Sequence, residues 1–328
     1  MKNKIKENLK ILSELDFEYA KIEALKMLKQ HFADAKINKG NIIAGNGPLL
    51  VDAHIDQVGF MVTYITDEGY LKIGAMAGID AKIMPGQILK IYGNEPRIGA
   101  IISTPPHLTD SDEKEKVSKI SDLLIDCGFE DITDAKQFVS RGDYVAWDGA
   151  FTELTDDKVI GKSFDNRAGV VAILYALSLL SEEDKNKLTI VFSDNEEIGE
   201  RGAKIAAFGS NCEAALAVDV SFGYTEGLDK AKCGIMGKGP MIGISPSLSR
   251  TISAELLEVA ETKKIPYQSE VMPTLTGTNA DQFSVSKTGL ETCTVSIPLK
   301  NMHSPIEIIS ISDILYTGNL LFEYIKKY

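Results

Sequence analysis

The stretch Leu188–Gly202, LTIVFSDNEEIGERG, constrains the fold more than any other. Leu188–Phe192 is a short apolar, β-branched run of the kind that forms a buried strand. It passes directly into Ser193-Asp194-Asn195-Glu196-Glu197, and Gly199 and Gly202 then bracket a turn toward a helix. Open α/β sheets place their ligand sites at the carboxyl ends of such strands. Asp194, Glu196 and Glu197 crowd that end, and grouped carboxylates repel one another unless a cation or a proton separates them. A solvated acidic loop is the competing reading. What decides between them is whether other strand ends supply further ligands.

They do. Pro48–Asp56, PLLVDAHID, reads as a buried strand ending in His54 and Asp56, two residues apart. Alternate strand residues share a face, so Asp56 can hold one imidazole nitrogen of His54 and leave the other for a metal. A structural histidine is the alternative. Lys162–Gly169, KSFDNRAG, leads into an apolar helix over Val170–Leu180, with Asp165 as either a ligand or a helix cap. Cys212–Val220 contains another buried strand, reaching Asp219, and the MHSP segment carries His303. Two imidazoles and several carboxylates without thiolates suit zinc, cobalt or manganese, and a pair of ions more readily than one. A paired site needs a bridging carboxylate, terminal ligands and a nearby carboxylate that binds no metal and moves protons. The Glu196-Glu197 doublet offers one ligand and one base. Neither a GxSxG nucleophile elbow nor a Walker-type glycine loop is present.

The rest of the chain frames this set. Lys4–Asp34 has apolar positions at helical spacing, broken near Asp16-Phe17, and Lys36–Gly47 reads as a turn-rich strand or hairpin. From about 63 to 158 the texture changes to short strands between Gly, Pro and Asn turns, which predicts a small β-barrel or sandwich. Within it Thr104–Ser118 is a charge-dense loop, and its His107 reads as solvent-exposed rather than a ligand. Beyond Val159 come a helix at Arg250–Lys263, strands at Tyr267–Met272 and Leu290–Ile297, and a closing helix at Ser312–Lys327. A formal charge of −12 argues against nucleic-acid and anionic-membrane partners. The four cysteines form no CxxC pair and read as reduced thiols in a cytoplasmic protein. The amino terminus is not a signal peptide, and no apolar run reaches membrane-spanning length.

In this order, AHIDQVGF, KSFDNRAG, NEEIGERGA, AVDVS and MHSPIE resemble the dinuclear-metal aminopeptidases of the tetrahedral type, often labelled glutamyl aminopeptidase or cellulase-M-like. The likeness extends through the inserted β segment, with its PGQILKIYG, PPHL and LLIDCG. It implies a three-layer α/β/α zinc-peptidase sandwich (1–63 plus 158–328) interrupted by a β-barrel (64–157) that serves assembly and substrate access. It also implies roles for matching residues. Asp165 would bridge two ions, His54 and Asp219 would complete one, and Glu197 and His303 the other. Glu196 would be the general base, and Asp56 would orient His54. A cis peptide is implied at Asp165–Asn166, and dimers building to a dodecamer are implied as the assembly. The chain departs from the family pattern at Leu15-Asp16-Phe17-Glu18, where a Pro-Gly-x-Ser-Gly turn is common, at Asn279, where many relatives carry an acid, and at Leu299-Lys300-Asn301.

The expected activity is removal of amino-terminal residues from short peptides with free termini. The alternatives are a related dinuclear carboxypeptidase or amidohydrolase, and a metal-binding scaffold with vestigial activity. A glycosidase is disfavoured, because adjacent Glu196 and Glu197 do not provide carboxylates on opposite sides of a sugar.

Overall fold

The computed structural model describes residues 1–103, 106–108 and 117–328. Of the loop Thr104–Ser118, residues 104–105 and 109–116 therefore lie outside the described residues, while His107 is exposed. Contacts divide the chain into two units. One comprises Met1–Gln57, Phe151–Met302 and Ile306–Tyr328; the other comprises Val58–Ala150 and His303–Pro305.

The first unit is built on an eleven-stranded mixed sheet. From one edge its strands run Lys36–Asn38, Asn41–Gly45, Leu188–Ser193, Leu49–His54, Ala214–Phe222, Glu291–Lys300, Glu307–Ser310, Lys158–Gly161 and Thr152–Glu153. Met241–Ile244 branches from Glu291–Lys300 and pairs with Gln268–Val271. Leu188–Ser193, Ala214–Phe222 and their common neighbour Leu49–His54 are parallel, and Glu291–Lys300 runs parallel to Ala214–Phe222. Their carboxyl ends therefore share one edge of the sheet.

Leu49–His54 and Leu188–Ser193 are buried at every position, as parallel strands covered on both faces must be. Alternate residues go to opposite layers. Leu49, Val51 and Ala53, with Ile190 and Phe192, pack into a core that also takes Leu9, Val171, Leu256 and Leu321. Leu50 and Val191, with Ala215 and Ala217, pack with Ala203, Ala207, Ala280 and Phe283. Helices Lys2–Glu14, Phe164–Leu177, Arg250–Lys263 and Ile311–Lys327 thus contribute to one layer, and Arg201–Gly209 and Ala280–Ser284 to the other. This is the expected α/β/α sandwich.

The second unit is a closed six-stranded antiparallel barrel. Its strands are ordered Gly59–Ile65, Leu71–Met76, Ile125–Asp126, Pro96–Ile101, Ile88–Tyr92 and Tyr144–Trp147. Closure leaves no free sheet edge. Phe60, Ile73, Leu89, Ile91, Ile125, Val145 and Trp147 fill the interior, where Phe60 and Trp147 meet edge to face at 5.0 Å between centroids. Arg97 stacks its guanidinium 3.8 Å from the Phe138 ring centroid. Among the described residues, no helix is long and apolar enough to cross a membrane.

Candidate metal centre

The strand ends that the sequence marks lie side by side. In the parallel register Ser193 is opposite His54 and Asp52 is opposite Ala217, so Asp219, two residues on, falls beside His54. Asp219 is in turn opposite Ser296. His54 is 1% exposed, and its Nε2 faces Asp165 Oδ1 at 3.0 Å, Asp219 Oδ1 at 3.6 Å and Glu196 Oε2 at 3.9 Å. Ligand atoms of His54, Asp165 and Asp219 all lie within 4.8 Å of one another, as do those of His54, Glu196 and Glu197.

Asp165 reaches this position by a turn that is not helical. The Asp165–Asn166 peptide is cis, and Ser163 before it has φ 57°. Buried Glu307 accepts from the backbone N–H groups of Phe164 at 2.6 Å and Asp165 at 3.2 Å. Asn166 Nδ2 donates to the Val218 carbonyl at 2.8 Å, tying the turn to the strand that carries Asp219. Gly169 allows the close approach, since a Cβ there would stand 2.8 Å from the Val218 oxygen. Asp165 therefore faces His54 and is not an N-terminal cap, the other role its sequence allowed.

The acidic turn separates its three carboxylates. Asp194 points to Lys21 at 3.0 Å and takes no part in the cluster. Glu196 and Glu197 are held by Asp56, whose two oxygens accept from their backbone N–H groups at 3.1 and 3.2 Å. Asp56 Oδ1 also lies 3.4 Å from His54 Nδ1, in ion-pair range but not aligned as a hydrogen bond. One carboxylate thus sits beside the imidazole and fixes the loop bearing the glutamates.

Charge crowding shows in the titration of the group. Burial, then the neighbouring Asp219, Asp165 and Asp56, push Glu196 up to about 8, although His54 opposes the shift. Burial also raises Asp219. His54 is desolvated, which by itself lowers its pKa, yet Glu196, Asp165, Asp219 and Asp56 together raise it well above the ordinary value. Oxygen donors gathered around a buried imidazole either hold protons or surround a cation, and a divalent cation satisfies them together. The donor set of one histidine and several carboxylates fits such an ion.

His303 lies on the three-residue segment that groups with the barrel unit. There its Nδ1 is 2.7 Å from the Gly78 carbonyl oxygen, and its backbone has φ 63°.

Several supporting residues have partners that the sequence does not reveal. Asn279 is 2% exposed and donates from Nδ2 to Asp52 Oδ2 at 2.6 Å and Ser193 Oγ at 2.7 Å. Asp52 itself is raised to about 7 by burial, against the pull of Ser193, Asn279 and His54. Glu307 is visible only as the last letter of MHSPIE. Their partners lie far away in the chain, so no local spacing identifies them.

The family model of the M42 glutamyl aminopeptidases matches residues 40–320. The chain is 32% identical over 298 residues to a lysyl aminopeptidase of Pyrococcus furiosus, covering 88% of this chain and 85% of the relative. An aminopeptidase structure from Desulfurococcus kamchatkensis superposes with a TM-score of 0.92 at 27% identity, covering 100% and 96% of the two chains. The TET1 peptidase of Pyrococcus horikoshii, which can assemble into a tetrahedron or a large octahedral shell, superposes with a TM-score of 0.86 at 30% identity, covering 97% and 98%. The family match and the buried imidazole–carboxylate cluster at the strand ends agree, and this protein belongs to the M42 glutamyl aminopeptidases, metal-dependent hydrolases that act on peptide bonds.

Proposed function

We propose that the chain removes amino-terminal residues from short peptides using two divalent ions, zinc being the first choice, with Glu196 as general base. The observation that carries this is the arrangement around His54: Asp165 and Asp219 on its Nε2 side, and a third acid, Glu196, in the same cluster. In the proposed assignment Asp165 would be shared by the ions, His54 and Asp219 would complete one, and Glu197 and His303 the other. Bound divalent ions polarise the scissile carbonyl and make the attacking water more acidic.

The chain's own groups do the rest. Asp56 fixes the backbone of Glu196 and Glu197, so the two carboxylates take separate roles from adjacent positions. Glu196, in the same cluster and left out of the proposed ligand set, accepts a proton from the attacking water and returns it to the leaving amine. His54 is kept in place by Asp56 on one nitrogen and presents the other to the acids. The inserted barrel is assigned to assembly and substrate access, and the assembly to a homo-oligomer. The relative that forms tetrahedral and octahedral shells supports that assignment.

Metal analysis combined with a paired substrate tests the reading. A peptide with a free amino terminus is expected to be cleaved only by the metal-loaded protein, and its acetylated counterpart refused. Cleavage of the acetylated peptide at the same rate would point to an endopeptidase, carboxypeptidase or amidohydrolase and end the aminopeptidase assignment.

A further inference from the structure

Three motif residues have no part in the chemistry above: Gln57, Lys162 and Arg167. All three are buried, and all three meet the corner between helices Lys2–Glu14 and Phe17–Leu28. Lys162 Nζ donates to both oxygens of Asp16 at 2.6 and 2.7 Å, with side chains 4% and 1% exposed. Gln57 Nε2 donates to Asp16 Oδ1 at 3.0 Å, and its Oε1 accepts from Phe17 N at 3.3 Å. Arg167 donates to the same Gln57 Oε1 and to the carbonyl oxygens of Leu12 and Leu15.

Each of these residues is a short step from a member of the metal cluster. Gln57 follows Asp56 and is three residues beyond His54. Arg167 is two residues after Asp165, and Lys162 three before it. The two segments that bring His54 and Asp165 to 3.0 Å are thus fastened to one helix corner, and Gln57 touches all three parts. Charge pairing this deep adds little to stability over an apolar replacement, because desolvation offsets attraction. What the network does provide is a fixed spacing between two loops, and captured ligands must hold such spacing closely to bind an ion well.

We infer that Gln57 is a positioning residue that sets the separation of His54 and Asp165 through its hydrogen bonds to Arg167, Asp16 and the Phe17 backbone. The inference rests on the reading that His54 and Asp165 hold a metal ion together.

Zinc affinity of the full chain, measured by competition with a chromogenic chelator, tests it alongside thermal melting of the metal-free protein. Gln57→Leu removes the donor and the acceptor at nearly constant volume, and is expected to weaken zinc binding by about tenfold or more. At saturating zinc, kcat should fall while KM for an aminoacyl-anilide stays within about twofold. Gln57→Glu keeps the acceptor for Arg167 and Phe17 but replaces the donor to Asp16 with a second acid, and is expected to recover only part of the affinity lost in Gln57→Leu. A cooperatively folded Gln57→Leu protein with wild-type zinc affinity, even at a lower melting temperature, overturns the positioning role. If Gln57→Leu does not fold, Asp16→Asn carries the test: several-fold weaker zinc binding supports the inference, and unchanged binding overturns it. A wild-type chain that binds no zinc would instead bring down the metal reading itself, and this role with it.

Discussion

At the scale of single residues, Glu196 and Asp165 separate two kinds of failure. Glu196→Gln keeps size and hydrogen bonding but cannot take a proton. Its zinc content should match the wild type while turnover falls by about 10²–10⁴-fold. Asp165→Ala removes the oxygen 3.0 Å from His54 and should lose metal as well as activity. Elemental analysis of both purified variants distinguishes the roles, and a Glu196→Gln protein that turns over normally removes the base assignment. Asn279 calls for a different test. The resemblance leads one to expect an acid at this position, but the amide present donates to Asp52 at 2.6 Å. Asn279→Asp would set two buried carboxyls against each other and leave Ser193 Oγ without that donor. A loss of about 1–3 kcal/mol in chemical denaturation is expected. The ligand candidates were legible because strand-end position and residue type mark them. The partners of Asn279, Glu307 and Arg167 were not, because each lies more than fifty residues away in the chain.

At the scale of elements, hydrophobic runs and turn residues located the parallel strands at Leu49–His54, Leu188–Ser193 and Ala214–Phe222, and the helix pair broken at Asp16. The short strands Thr152–Glu153, Met241–Ile244 and Glu307–Ser310 escaped, since two to four residues are too few to show a period. One junction among them bears on acid stability. Asp157 lies before the strand Lys158–Gly161 and caps the packing of the carboxy-terminal helix. It accepts from Ser310 Oγ at 2.6 Å, from Ser312 N at 3.1 Å and from Lys2 Nζ at 2.9 Å. Partial burial works against its ionisation, yet these donors lower its pKa to about 2. A carboxylate whose folded pKa is depressed stabilises the fold above its unfolded pKa, and that contribution disappears as pH falls through the folded value. Asp157→Asn should therefore be less stable than wild type at pH 7, with the gap closing between about pH 4 and pH 2. Urea midpoints across that range check it; a gap that persists unchanged at pH 2 would deny the ion's contribution.

For the whole molecule, alternation of texture along the chain indicated a sandwich with an inserted barrel, and the order of five motifs indicated the family. What composition could not convey is how self-repelling the centre is without cations. Because metal binds the folded protein and not a preformed site in the unfolded chain, excess zinc should raise the melting temperature and a chelator should lower it. At a free concentration one hundred times Kd, one site contributes about 2.7 kcal/mol. Calorimetry with and without chelator measures this, and identical melts would contradict a metal held by these carboxylates. Sedimentation should show a particle of several chains; a monomer at micromolar concentration would remove the proposed assembly.

The buried Arg167 guanidinium ends on the carbonyl oxygens of Leu12 and Leu15. The first two helices are therefore not a dispensable leader to the enzyme. Trimming the chain back to the first sheet strand, as one does to obtain a minimal catalytic fragment, would leave the Lys162 ammonium without Asp16 and the Arg167 guanidinium with Gln57 but without its two backbone acceptors. Cleavage that spares the corner at Leu12–Phe17 is the condition under which these two buried cations keep their acceptors.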